Sequence, residues 1–297
     1  MNKEDIRPAT IEEFFYWINE RHQIYVNRFI KKQKKPWTDD KIFQRYKFTN
    51  VFRQLDTGTI VLNNMLGKWF NNKTELKDMD VEDAIDILFN IVWYRLFNRA
   101  EHAEDIGFQS HKDYEFIRQV LLEKRKLGKK IFTSAHMTTG SGGAIQKHGK
   151  IYGHLVAPVG IAEEFGEELI SYIYHNQSMR SVTKKLMELP IIGNFIAYEI
   201  ACDLRFTPLL SGATDKLTWA NLGGGAVRGL RRLGMPIKVE SMQKLYDMAL
   251  YGRAGREVLN CKAFFELREI EHSLCEFDKY MRAKTGASRP RERYDGI

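Results

Sequence analysis

Apolar positions recur at close to 3.6-residue spacing along most of the chain and predict a mainly α-helical protein. Between Thr10 and Ile30 they fall at Ile11, Phe14, Phe15, Ile18, Tyr25 and Phe29, and Thr10 with Glu13 forms a capping box. Pro36 breaks the pattern after the basic run Lys31-Lys32-Gln33-Lys34-Lys35, a solvated loop or, alternatively, a contact to DNA phosphates. Asp39 and Asp40 open a helix through Phe43 and Tyr46, and helical spacing resumes over Phe48 to Phe70 after a break at Thr49-Asn50. Val81 to Phe97 follows, with Asp80, Glu82 and Asp83 at its dipole-positive end, and then Asp113 to Leu127, ended by Gly128. Lys130 to Met137, the Gly-rich stretch Gly140 to Gly143 and Ile151 to Val159 read as extended, a small β-hairpin insertion or a long functional loop near 130–160. Helical spacing returns at Ala162 to Tyr174, Ser178 to Glu188, Asn194 to Leu204, Ala226 to Leu233, Val239 to Tyr251 and Lys262 to Met281. No linker cuts the chain. The expected organisation is one helical domain: 10–130, the insertion 131–160, 161–283, and a loose basic tail 284–297 carrying Arg289, Arg291 and Arg293.

Composition narrows the class. With 43% hydrophobic and 28% charged residues the chain has material for a sizeable core, and a net charge of +8 suits a polyanionic partner such as nucleic acid. A basic enzyme with no such partner fits the charge as well. Cys202, Cys261 and Cys275 form no CxxC pair, which argues against a disulfide framework or a cysteine-rich zinc site. The start Met1-Asn2-Lys3-Glu4-Asp5 holds no apolar leader, and the apolar stretch Ala84 to Phe97 is interrupted by Asp86, Asn90 and Arg95, so no membrane association is expected. The expected compartment is reducing and cytoplasmic.

The most informative stretch is Leu189-Pro190-Ile191-Ile192-Gly193-Asn194-Phe195-Ile196-Ala197. It resembles the helix-hairpin-helix of DNA glycosylases, Leu-Pro-Gly-x-Gly before an apolar helix, whose backbone N–H groups hold a DNA phosphate without reading sequence. Gly193 keeps the second glycine position, whereas Ile191 stands at the first. In that group a catalytic aspartate follows about 25 residues beyond the Leu, and Asp215 lies 26 residues beyond Leu189. Asp215 reads as that aspartate or as a helix N-cap. Next come Trp219, Asn221, and Gly223-Gly224-Gly225 opening a helix with Arg228, Arg231 and Arg232. Backbone N–H groups, a helix dipole and guanidinium forks make such a segment an anion cradle; the alternative is a Gly-rich turn with a solvated basic face.

Three segments in order carry the likeness further: Trp37 to Asp40 with Arg45 to Asp56; Ile192 to Leu204 with the Asp215 and Gly223 to Gly229 block; and Glu269 to Tyr280. Together, over roughly residues 10 to 283, they resemble the alpha-glutamyl/putrescinyl thymine pyrophosphorylases of phages and the related helical domain of 5-hydroxymethyluracil DNA kinases. One departure is Gly223-Gly224-Gly225-Ala226 where that group has Gly-Pro-Gly-Ala. The resemblance implies a DNA-glycosylase-like helical fold in an infected bacterial cell and no metal or nucleotide cofactor. It implies a step in thymine hypermodification: replacing the phosphate or pyrophosphate on phosphorylated 5-hydroxymethyluracil in DNA with an amine donor, an amino acid or polyamine. A separate 5-hydroxymethyluracil DNA kinase would be a partner.

That chemistry needs cations and N–H donors for the departing phosphate, and a base for the attacking amine. Arg53, Gly193, Gly223, Gly224, Gly225, Arg228, Arg231 and Arg232 are the candidate phosphate and DNA ligands. Asp215 leads the bases, with Glu271 and His272 behind it. Trp219 is a stacking partner for an extruded base or a core tryptophan, and Asn221 sits beside it. Thr49, Asn50, Arg53 and Asp56 share one face if helical, forming a pocket wall or a buried polar network. Cys275 reads as a buried small residue rather than a nucleophile. The P-loop-like Gly143 to Ile151 fails on spacing and on Ile151, where Ser or Thr is needed, and His136, His148 and His154 lack a ligand spacing. Two rivals remain open, a DNA glycosylase excising a modified base and a non-catalytic DNA-binding partner of the kinase.

Overall fold

The computed structural model describes residues 7–70, 79–133, 149–251, 265–290 and 293–294. It is mainly α-helical, as the periodicity predicts, and its described chain divides into two compact units, 1–56 with 216–297 and 57–215. Among the described residues β pairing is confined to one antiparallel bridge between Tyr46 and Arg293.

In the first unit, α1 (Ile11–Tyr25) starts at the predicted capping box and runs into a short π-helical turn over Val26–Ile30. α2 (Lys41–Arg45) starts where Asp40 accepts the Ile42 and Phe43 N–H groups. α10 (Gly224–Arg232), α11 (Val239–Tyr251) and α12 (Leu267–Lys284) follow. The central element is α12, which packs on α1, α2, α10 and α11. Its apolar side buries Leu267, Ile270, Leu274, Phe277 and Met281, and Phe14 meets Phe277 edge-on at 5.4 Å.

In the second unit, α3 (Thr57–Phe70), α4 (Val81–Phe97), α5 (Ala100–Ile106), α6 (Tyr114–Lys126), α7 (Lys150–His175), α8 (Met179–Leu186) and α9 (Asn194–Leu204) are grouped around α4. From Ala84 to Phe97 α4 is buried on every side, so its polar residues need partners inside. Asp86 takes the His111 ring at 2.6 Å, and Asn90 holds the Gln109 carbonyl and the Trp93 indole N–H. Arg95 reaches α9, meeting Glu199 at 2.8 Å and gripping both oxygens of Asp203. The three polar residues that interrupt this apolar stretch thus tie α4 to the segment at 109–111 and to α9. No helix among the described residues is long and apolar enough to cross a membrane.

Two expectations are corrected. Ile151 to Val159 is helical, the first turns of α7, with Pro158 inside it. Proline costs one intrahelical bond but has a helical φ, and Ile151, Leu155, Val159 and Ala162 bury one helical stripe, which outweighs the Gly and β-branched content that suggested a strand. Gly140 to Gly143, His136 and His148 lie outside the described residues. Residues 48–56 form no continuous helix: a 3₁₀ turn at Arg53–Leu55 precedes α3, so the shared face of Thr49, Asn50, Arg53 and Asp56 is a loop. The helix α5 has no counterpart in the periodicity.

The hairpin between α8 and α9 shows why that motif has glycine where this chain has Ile191, whose φ is 61°. The left-handed region costs an L-residue roughly 1–2 kcal/mol and a glycine little. Ile191→Gly should therefore stabilise the protein by about 1 kcal/mol, a Tm rise of roughly 2 °C in a thermal melt. A lower Tm would mean that the half-buried side chain contributes more packing than strain.

Burial, with the adjacent Arg21 charge, pushes the His22 imidazole down to about 4. His102 and His154 are likewise lowered by burial. A histidine neutral in the fold and protonated when unfolded stabilises fully above its unfolded pKa of 6.5, and this is lost as pH falls towards its folded value. Roughly 2 kcal/mol should disappear between about pH 7 and about pH 4.5 in urea titrations, and His22→Gln should flatten that slope.

Candidate functional site

The glycine block is first a packing device. A Cβ on Gly229 would lie 2.5 Å from the Leu274 carbonyl oxygen, and one on Gly225 would lie 2.8 Å from Cys275 Cβ and 3.2 Å from its Cα. Glycine at both positions lets α10 lie directly against the backbone of α12. Burial between the two helices pushes the Cys275 thiol up to about 12, so it is no thiolate at neutral pH.

That close approach brings α12 side chains to the start of α10. Glu271 Oε1 lies 3.3 Å from where a Gly223 side chain would begin, at the end of the helix where the dipole favours negative charge. Glu271 Oε2 is 3.3 Å from His272 Nδ1, whose ring also contacts the Arg268 carbonyl at 2.8 Å. Arg228 Nη1 lies 3.8 Å from the corresponding position on Gly224. A carboxylate, an imidazole and a guanidinium thus gather around one helix start.

A second layer holds these groups. Asp278, wholly buried, accepts from Arg228 Nε at 2.8 Å, Arg232 Nε at 2.7 Å and Arg282 Nε at 3.1 Å. Arg232 is itself buried and bonds the Arg7 carbonyl, whereas Arg231 is exposed. Arg228 is half-buried, with 35% of its side chain exposed, and so is the arginine of this helix that faces both solvent and the glycines. Glu269 is fully buried against Arg268 at 3.0 Å, and burial raises its pKa. Trp219 and Asn221, on the segment leading to Gly223, are both half-buried.

The loop before α3 forms a third group. Arg53 pairs with Asp56, whose other oxygen accepts the Asn50 N–H at 2.8 Å, and Asn50 Nδ2 reaches the Leu55 carbonyl. Asn50 Oδ1 is buried with no hydrogen-bond partner. Glu276 of α12 accepts the Thr49 N–H and pairs with Lys279 at 2.7 Å. Burial would raise the Glu276 pKa, but Lys279, the Thr49 N–H and Arg53 outweigh it and hold it below the usual range.

Asp215 and Gly193 belong to the second unit. The Asp215 carboxylate accepts from Ser178 Oγ at 2.8 Å and from the Met179 and Arg180 N–H groups at 2.6 and 3.0 Å, the bonds of a residue seated on the start of α8. Gly193 caps α9, exposed, with open space where a side chain would stand. Among the described residues no group of three or more His, Cys, Asp or Glu is arranged to hold a metal ion.

Comparison with known proteins fits this arrangement to a family. The family model described as "5-hmdU DNA kinase, helical domain" matches residues 8–289. The chain belongs to that family. A curated relative, the 5-hmdU DNA kinase of Bacillus phage SP10, is 29% identical over 290 residues, covering 89% of this chain and 44% of the relative. The chain thus spans less than half the length of that kinase. No solved structure matches it. The family match runs through both units and takes in every group described above. The sequence did not reveal the roles of Asp278, Glu276, Glu199 and Asp203. The one signal was at Glu199 and Asp203, acidic residues four apart on the otherwise apolar α9, which call for a buried cation opposite.

Proposed function

We propose that the chain acts on 5-hydroxymethyluracil in phage DNA, and that its own step replaces the phosphate of the phosphorylated hydroxymethyl group with an amine. The family membership supports the substrate class. The observation that carries the reaction is that Glu271 and Arg228 lie beside the neighbouring glycines Gly223 and Gly224 at the start of α10, a proton acceptor and a phosphate ligand at one helix end.

The amine lone pair attacks the methylene carbon, the carbon–oxygen bond breaks, and its electron pair leaves with inorganic phosphate. Arg228 and the N–H groups of Gly223, Gly224 and Gly225 stabilise charge building on the leaving oxygens. Glu271 accepts the ammonium proton as the carbon–nitrogen bond forms, with His272 positioning it. It takes this role in preference to Asp215 because it stands at the glycine-rich start of α10, whereas Asp215 holds the start of α8. Trp219 and Asn221 would flank the base, and Arg53 would steady the loop carrying Asn50.

A second reading is that the chain presents the base to a 5-hydroxymethyluracil kinase and does no chemistry itself. The name of the curated relative and the 44% share of it that is matched favour this alternative. Nucleoside mass spectrometry separates them. Phosphomethyluracil DNA incubated with the protein and a pool of amino acids and polyamines should yield an aminated base and inorganic phosphate. DNA binding with no new nucleoside from any donor would support base presentation, and free base would support glycosylase chemistry.

A further inference from the structure

Of the arginines that the sequence offers as phosphate ligands, Arg53 pairs with Asp56, Arg228 and Arg232 share Asp278 with Arg282, and Arg231 is exposed. A different set of cations lies together on another surface. Arg28, Lys35, Arg45, Lys47 and Arg293 make no ion pair with a carboxylate among the described residues. They lie instead against aromatic rings. Arg28 and Lys35 stand 4.9 and 5.5 Å from the Trp37 centroid. Lys35 and Lys47 stand 5.0 and 5.7 Å from that of Tyr294, and Arg45 and Arg293 5.4 and 5.7 Å from that of Tyr46.

This surface is held in place. Trp37 donates its indole N–H to the Gln33 carbonyl at 2.8 Å, and its own carbonyl accepts from Asn27 at 2.9 Å. Tyr294 is fixed by its N–H to the Arg45 carbonyl and by an edge-on contact of 5.6 Å with Trp37. Beside it opens a cleft of about 370 Å³, lined by Lys35, Pro36, Trp37, Thr38, Phe43 and Gln44. Nearby carboxylates are engaged elsewhere: Asp40 caps α2 and takes the hydroxyls of Tyr16 and Tyr280, and Glu20 takes Thr38. Asp39 is the exposed exception.

We infer that this surface binds single-stranded DNA, with phosphates on the five cations and a base in the cleft against Trp37. Unpaired cations interleaved with aromatic rings suit a strand whose bases are free to stack, since every base has a π-face and the backbone supplies the negative charge. A duplex hides those faces, and an anionic membrane offers no ring to stack in an aromatic cleft. The inference rests on the reading that the chain works on DNA, and it adds that a strand opened around the target base is held here.

The test is fluorescence anisotropy of the full chain with a labelled oligo(dT) single strand, its duplex with oligo(dA), and phosphatidylserine vesicles as competitor. Unmodified thymine keeps this separate from turnover, so amination can fail while strand binding holds, and the reverse. Trp37→Ala should weaken single-strand binding about tenfold with little effect on the duplex, and Trp37→Phe should restore most of it. Lys35→Ala with Lys47→Ala should reduce the slope of log affinity against log salt by about 1.4, at roughly 0.7 for each phosphate left without its lysine. Should Trp37→Ala lose its fold, the salt slope of the double variant decides. Single-strand affinity unchanged in Trp37→Ala, an unchanged salt slope in the double variant, or vesicles displacing the oligonucleotide at equal charge would each overturn the proposal.

Discussion

Gly229→Ala should destabilise the protein by about 3 kcal/mol or more, the cost of forcing apart a packed core that has no free space. The added methyl would meet the Leu274 carbonyl oxygen at 2.5 Å, a backbone atom within α12 that cannot turn aside as a side chain would. The two helices must separate, and α12 is the element on which the rest of its unit packs. Denaturant midpoints measure the loss. The same displacement would draw Glu271 away from Gly223, so turnover should fall further than the folded fraction alone explains. A variant with the wild-type midpoint would show that the helices do not touch at this point.

The second large effect is on the reaction. Glu271→Gln keeps the size of the side chain and its place beside Gly223 but removes the proton acceptor. Turnover should fall by roughly 10²- to 10⁴-fold, the usual worth of a positioned general base, with DNA affinity almost unchanged. Arg228→Lys should also cost turnover more than binding, because lysine cannot offer a planar fork to the leaving phosphate. The Asp278 contact would weaken in that variant as well, so its melting point must be read beside its rate.

The helices were legible because long amphipathic stripes leave a 3.6-residue signature that survives tertiary packing. α1, α4, α6 and α9 fall close to their expected ranges, down to the capping box at Thr10 and the acidic start of α4 at Asp80, Glu82 and Asp83. The first turns of α7 were not legible, because Gly153, Pro158 and the β-branched residues carry local preferences that packing on α4 overrides. The seven-residue α5 is too short to show a period. Glu271, His272, Arg228 and the glycines could be named from residue type, but not which of them meet. That depends on the close approach of α10 and α12, which glycine permits through what it lacks. Aspartate spacing put Asp215 first among the bases, with a helix N-cap as the alternative, and only the positions of Ser178, Met179 and Arg180 show what its oxygens hold.

In the proposed reaction the chemistry on the modified base belongs to Glu271 at the start of α10, while Asp215 holds the start of α8. The most direct measurement is a paired one, single-turnover amination of phosphomethyluracil DNA by Glu271→Gln and Asp215→Asn, each with its melting temperature. Glu271→Gln should melt like the wild type and lose at least about 10²-fold in rate. Asp215→Asn should melt lower, by about 1 kcal/mol of capping energy, and turn over normally while folded. A normal rate in Glu271→Gln, together with a stable but inactive Asp215→Asn, would contradict it and return the base to Asp215.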